Sequence, residues 1–189
     1  MSTENPFVTA AFKAAQQILS PPLSIRRGEP LLYQVTVNNE LRLTVNPAKP
    51  KRGTSAFQTD LCVFEQKPSG VEIPRVVLEF KGGITTHDVI TYSAKARKHK
   101  QVYPYLRYGV VMSEEASVPG RVFTHNESLD FVLALRNFKA HRLHDILAST
   151  IQAEVEASRR LEEIMFGSNV HVYLFRTEPI AASGSGKVS

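Results

Sequence analysis

The chain has 189 residues, a formal net charge of +5, and 42% apolar against 22% charged residues. Such a composition suits one globular domain and excludes a disordered chain. The longest uninterrupted aliphatic and aromatic run, Phe131 to Leu135, has five residues, where a membrane-spanning helix needs about 20. The lone Cys62 excludes an intrachain disulfide and a cysteine-based zinc cage. The first residues lack the basic-then-apolar pattern of a secretory signal, so a cytoplasmic protein with no membrane association is expected.

Asn5-Pro6 is a helix-start signal, and Phe7, Ala10, Ala11, Ala14, Ile18 and Leu19 recur at helical spacing, which predicts an amphipathic helix over 6–20 stopped by Pro21-Pro22. Tyr33 to Val37 and Leu41 to Val45 alternate on either side of Asn38-Asn39 and read as a hairpin. Residues 47–53 (PAKPKRG) form a basic loop. Phe57 to Phe64 reads as a strand with Asp60 near its start, Lys67–Gly70 as a turn, and Arg75 to Lys81 (RVVLEFK) as a strand covered on both faces. Gly82-Gly83 ends it. A helix follows from about Thr86 to Tyr103, with Val89, Ile90, Tyr92 and Ala96 on its apolar side and Lys95, Lys98 and Lys100 more exposed. Leu106–Met112 is a strand, and Leu129–Leu135 reads as strand rather than helix. Residues 141–166 carry the longest helical pattern, Val170–Phe175 a last strand, and 181–189 a Gly/Ser-rich tail expected to be disordered. One domain over 1–180 is expected, an α/β fold with a mixed sheet flanked by helices, because short turns make antiparallel neighbours and a strand–helix–strand crossover makes parallel ones.

The positive charge is concentrated. Between Lys49 and Arg107 lie eleven basic and five acidic residues, a pattern that suits a polyanion such as DNA. Lys49, Lys51 and Arg52 in the basic loop, and Lys95 and Lys98 on the helix after the glycine pair, are the candidate phosphate contacts. His99 in the same basic run reads as a phosphate contact or a solvated residue. Tyr103, Tyr105 and Tyr108 read as core residues, with base stacking as the second role.

The chemistry sits in a conflict within the sequence. Glu79 and Lys81 interrupt a strand that is otherwise apolar, and residues two apart on a strand share a face. Charges buried there are costly unless paired or bound to a metal. Asp60 lies on the preceding strand, 19 positions earlier, and a hairpin register can bring it opposite Glu79. Two carboxylates at a sheet edge suit Mg²⁺, with Mn²⁺ as a substitute. Lys81 is then placed to orient an attacking water or to balance charge developing on phosphate. The glycine pair would let backbone approach a bulky polyanion. His87 and Asp88, just beyond it, read first as helix-capping or solvated residues.

Asp60, then eighteen residues, then Glu79-Phe80-Lys81 at the end of an apolar strand resembles the signature of the PD-(D/E)xK nuclease superfamily. The element order resembles its restriction-endonuclease-like αβββαβ core over residues 6–112, with a C-terminal strand–helix–strand extension. Gln101-Val-Tyr-Pro-Tyr105 is similar to the Gln-x-x-x-Tyr pattern of some branches. The resemblance implies metal ligation by Asp60, Glu79 and the Phe80 carbonyl, Lys81 as the catalytic lysine, and Gln101 as a residue positioning the metal site or the DNA. It implies a metal-dependent DNA endonuclease, most like a small type II restriction endonuclease acting on double-stranded DNA as a homodimer. A repair, recombination or mobile-element nuclease is the alternative within the fold; a non-catalytic nucleic-acid-binding or interaction module is the alternative outside catalysis. The chain departs from the pattern twice. Thr59 replaces the usual proline before Asp60, and the first predicted helix carries no acidic residue, Glu4 lying just outside it and Glu29 and Glu40 in later segments.

Overall fold

The computed structural model describes residues 6–136, 138 and 140–167. The elements in chain order are α1 (Pro6–Ile18), β1 (Leu23–Arg27), β2 (Pro30–Leu32), β3 (Ala56–Gln58), β4 (Leu61–Gln66), β5 (Glu72–Lys81), α2 (Thr86–Val102), β6 (Arg107–Met112), α3 (Gly120–His125), β7 (Phe131–Ala134) and α4 (Ala140–Phe166). Five strands form one mixed sheet in the order β1-β4-β5-β6-β7, with β2 and β3 paired separately. The hairpin neighbours β1, β4 and β5 are antiparallel, while β5, β6 and β7 run parallel. Helix α2 is the crossover between β5 and β6, as a parallel connection requires. The protein is α/β, and among the described residues no helix is long and apolar enough to cross a membrane.

Strand periodicity divides the core into two layers. Leu61, Val63, Val76, Leu78, Phe80 and Val111 point to the face that α1 and α4 cover with Val8, Ala11, Ala15, Leu147, Ile151 and Val155. Cys62, Phe64, Val77, Tyr108, Val110 and Met112 point to the other face, where Val89 and Ala96 of α2 and Val122 of α3 pack. Gly109 gives close packing between β6 and β7: a Cβ there would lie 2.2 Å from the Phe131 ring.

Several sequence expectations need correction. The hairpin over Tyr33–Val37 and Leu41–Val45 is not a pair of ladder strands. It is a narrow ribbon with one bridge, Val37 to Leu43, and almost all of it is exposed. The strand over Phe57–Phe64 breaks at Thr59-Asp60 into β3 and β4, which belong to different sheets. Strands β1 and β2 and helix α3 have too short a pattern to be read. β1 is an edge strand ending in Arg26 and Arg27; Arg26 pairs with Glu72 at 2.7 Å and lies 4.0 Å over the Phe64 ring, and charge on an edge discourages further pairing. Ile90 is half exposed rather than packed. Residues 129–135 contain strand β7, and helix α4 covers nearly the span expected. The expected strand at 170–175 and the tail at 181–189 lie outside the described residues.

Candidate active site

The site forms where β4 begins and β5 ends. Register places it there: Leu61 pairs with Leu78, so Asp60 lies next to Glu79 just beyond the ladder. Both side chains project to the α2 face, shared with Cys62 and Val77. This alignment depends on a bulge between Val63 and Phe64, where β5 holds one extra residue, Arg75. A one-residue slip reverses every side chain of a strand, so without the bulge Asp60 would lie with Leu78 on the opposite face. Arg75 is fully buried and held on the α4 side by Glu65 (2.6 Å), Ser158 (3.3 Å) and Glu162. Arg159 also reaches Glu65 at 2.6 Å.

Asp60 accepts a hydrogen bond at Oδ2 from the Phe80 backbone N–H at 2.8 Å. A strand residue directs its N–H and C=O to the same side, so the Phe80 carbonyl also faces Asp60. Glu79 is 3% exposed and accepts a 2.5 Å hydrogen bond from the Tyr108 hydroxyl. Burial pushes the Glu79 carboxyl up to about 7; the Lys95 charge and the Tyr108 bond oppose this, while the negative charge of Asp60 and a hydrogen bond shared with it add to the rise. The two carboxylates thus lie close enough to share a hydrogen bond. Together with the Phe80 carbonyl, they form an all-oxygen set suited to Mg²⁺ or Mn²⁺, which bind through one or two carboxylates and otherwise keep water or phosphate ligands. Among the described residues no third Asp, Glu, His or Cys joins them. In α1 no acidic residue is present.

Lys81 shares the strand face of Glu79, but its ammonium lies beyond the strand end, 3.1 Å from Asp88 and 40% exposed. Asp88 belongs to a capping box at the start of α2: the Thr85 hydroxyl accepts from the Asp88 N–H, and Asp88 accepts from the Thr85 N–H. The Thr85 hydrogen bonds, joined by Lys81, hold Asp88 down at about 2. The expected capping role at 87–88 therefore belongs to Asp88. The same aspartate fixes where Lys81 points.

The cation acting on Glu79 is Lys95 of α2. Its ammonium lies 5.2 Å from the Tyr92 ring and 5.7 Å from the Phe57 ring. Tyr92 is itself in the field of Glu79, Asp60 and Asp88, which together with burial, the larger cause, pushes its hydroxyl well up. Gln101 is elsewhere. It is exposed near the end of α2 and lines a groove of about 350 Å³ with Tyr33, Gln34, Val35, Lys98 and Val102. The glycine pair does permit a close approach, but of an acidic side chain: a Cβ on Gly82 would lie 2.7 Å from the Glu114 carboxylate. His99 is buried rather than solvated, with Nδ1 2.9 Å from the Leu32 carbonyl and its ring stacked on Tyr108.

Among the basic residues of the middle segment, Lys67, Arg75, Lys100 and Arg107 are engaged in ion pairs with Glu162, Glu65, Asp130 and Glu154. Lys49, Lys51, Arg52, Arg97 and Lys98 are exposed. The sequence pattern singles out Asp60, Glu79 and Lys81 and the capping role of Asp88, but not Tyr108, Tyr92 or the Lys81–Asp88 pair. The available signal for Tyr108 was its place in a buried strand, since a buried tyrosine hydroxyl requires a partner. No protein-family model matches the chain, and no curated protein sequence matches it.

Proposed function

We propose that the chain is a divalent-cation-dependent DNA nuclease of the PD-(D/E)xK kind, with Asp60, Glu79 and the Phe80 carbonyl as cation ligands and Lys81 as the catalytic lysine. The observation that supports this most is the meeting of Asp60 and the buried Glu79 at adjacent ends of β4 and β5. A cation held there supplies Lewis-acid polarisation of a phosphate oxygen and a more acidic bound water. Glu79 gives up its proton to serve as a ligand, and the Tyr108 hydroxyl keeps its carboxylate oriented. The Phe80 N–H fixes the Asp60 rotamer. Lys81 exchanges Asp88 for the scissile phosphate or the water beside it, a short movement for a partly exposed side chain. Lys95 offsets negative charge on the α2 side.

Within this reading, the finer proposal is a small cytoplasmic type II restriction endonuclease with the restriction-endonuclease-like fold, forming a homodimer because cutting both strands calls for two sites. Exposed Lys49, Lys51, Arg52 and Lys98, with the half-buried Lys95, would contact phosphates without reading sequence. A non-catalytic nucleic-acid-binding module is the second reading, favoured by the Lys81–Asp88 pair and the absence of a third carboxylate among the described residues. Incubating the full chain with mixed-sequence duplex DNA in Mg²⁺ or Mn²⁺, with EDTA as control, separates the two. Cation-dependent cleavage that Asp60→Ala and Lys81→Ala both abolish supports the nuclease. DNA binding without cleavage under either cation supports the module.

A further inference from the structure

Residues 33–55 leave the body between β2 and β3 and return five residues before Asp60. The base is closed by the β2–β3 ladder and a 3.0 Å bond from the Tyr33 N–H to the Ser55 carbonyl. Beyond that base the chain extends as an ordered ribbon. The Thr44 N–H donates to the Thr36 carbonyl at 2.9 Å, and the Asn38 side chain accepts from the N–H groups of Glu40 and Arg42 at 2.9 and 3.0 Å. At the tip Leu41 has φ +61°, a backbone region that non-glycine residues avoid, and it is 87% exposed. Val35, Val37 and Leu43 are also about half exposed. The arm also carries exposed Arg42, Lys49, Lys51 and Arg52, against the single acid Glu40, which pairs with Arg42 at 3.4 Å.

We propose that this arm is a DNA wedge: its apolar tip inserts between stacked base pairs from the minor groove while its cations hold the flanking phosphates. Apolar wedges flanked by basic residues are how minor-groove proteins unstack and bend a duplex. Self-association through the tip would bring like-charged arms together, which disfavours it. The arm rejoins the body five residues before Asp60, on the segment that leads into the carboxylate pair, so the proposal rests on the reading of the chain as a DNA-handling protein and names its substrate as deformable duplex.

The test is binding of the full chain, in EDTA so that no cleavage occurs, to a short duplex bearing one 2-aminopurine. The wedge predicts a rise in 2-aminopurine fluorescence on binding. Leu41→Ser should remove the rise and weaken binding about tenfold without changing the salt dependence. Lys49→Ala with Lys51→Ala should instead reduce the salt slope. Phe123→Ser, which alters an exposed apolar residue on α3 outside the arm, should match wild type. Circular dichroism confirms that each variant is folded. Binding without unstacking overturns the proposal. So does a Leu41→Ser protein that unstacks DNA normally, a wild-type oligomer that Leu41→Ser dissociates, or affinity for phosphatidylserine vesicles in place of DNA. Because cleavage is not read, a failed wedge leaves the nuclease reading intact, and absent cleavage leaves the wedge testable.

Discussion

Glu79 holds a destabilising position in the fold. Its carboxyl titrates near 7 in the folded protein against 4.5 in a free side chain. A raised acid pKa means that the folded state binds the extra proton, so the stability it confers is present below about 4.5 and is lost as pH rises through about 7. Glu79→Gln keeps an acceptor for Tyr108 and removes the charge. At pH 8 this variant should be more stable than wild type by up to about 3 kcal/mol, and the two should converge below pH 4.5, as denaturant titrations at several pH values can show. A variant that gains stability while losing cation-dependent activity would mark the residue as kept for chemistry. Tyr108→Phe leaves Glu79 buried with one hydrogen bond fewer, and should cost about 1–3 kcal/mol in chemical denaturation.

At the scale of elements, the link between Arg75 and the site is the least obvious feature of the fold. The guanidinium lies about half a strand away from Asp60, yet it occupies the bulge that sets the β4–β5 register. Arg75→Ala would take the shared cation from Glu65 and the partly exposed Glu162 and leave them Arg159 and Lys67, a loss of about 1–3 kcal/mol in unfolding experiments. It should reduce activity even under conditions where the protein remains folded, because a slipped register removes Asp60 from Glu79. Legibility in the sequence follows the same logic. β5, β6, α2 and α4 were readable because long apolar periodicity is insensitive to context. The Asp60–Glu79 pairing was readable because two charges stand out at the ends of buried strands. β1 and β2 were missed because three to five residues ending in arginine or flanked by glycine give no period. The bulge and the projection of the 33–55 arm from the body were unreadable, although its turn at Asn38-Asn39 and its basic loop were not, because both are fixed by contacts distant in sequence, Arg75 with Glu162 in one case and β2 with β3 in the other. Gln101 was misplaced because its motif ignores helix phase: Lys95 and His99, four apart, share the inward side, and Gln101, two residues past His99, does not.

For the whole molecule, the second titrating group within the core is His99. Its Nδ1 donates to the Leu32 carbonyl and its Nε2 is buried with no partner among the described residues, an arrangement that favours the neutral ring. Burial, with Lys95 adding to it, holds its pKa down at about 4 against 6.5, despite the bond to Leu32. The unfolded chain therefore takes up a proton that the folded chain refuses, and stability falls as pH drops from about 6.5 to about 4. Measured in the Glu79→Gln background, where the opposing trend is absent, this slope should be visible and should vanish on adding His99→Gln. His99 stacks on Tyr108 and Glu79 bonds to its hydroxyl, and their opposed pH trends make the core on the α2 face most stable in a mildly acidic window. The central claim, that Asp60 and Glu79 form one divalent-cation site, is tested most directly by calorimetric titration of the full chain with Mn²⁺ at pH 7. The predicted result is saturable binding with release of a proton from Glu79, lost in both Asp60→Asn and Glu79→Gln. Absence of binding by the wild-type chain, or binding that survives Asp60→Asn unchanged, would contradict it.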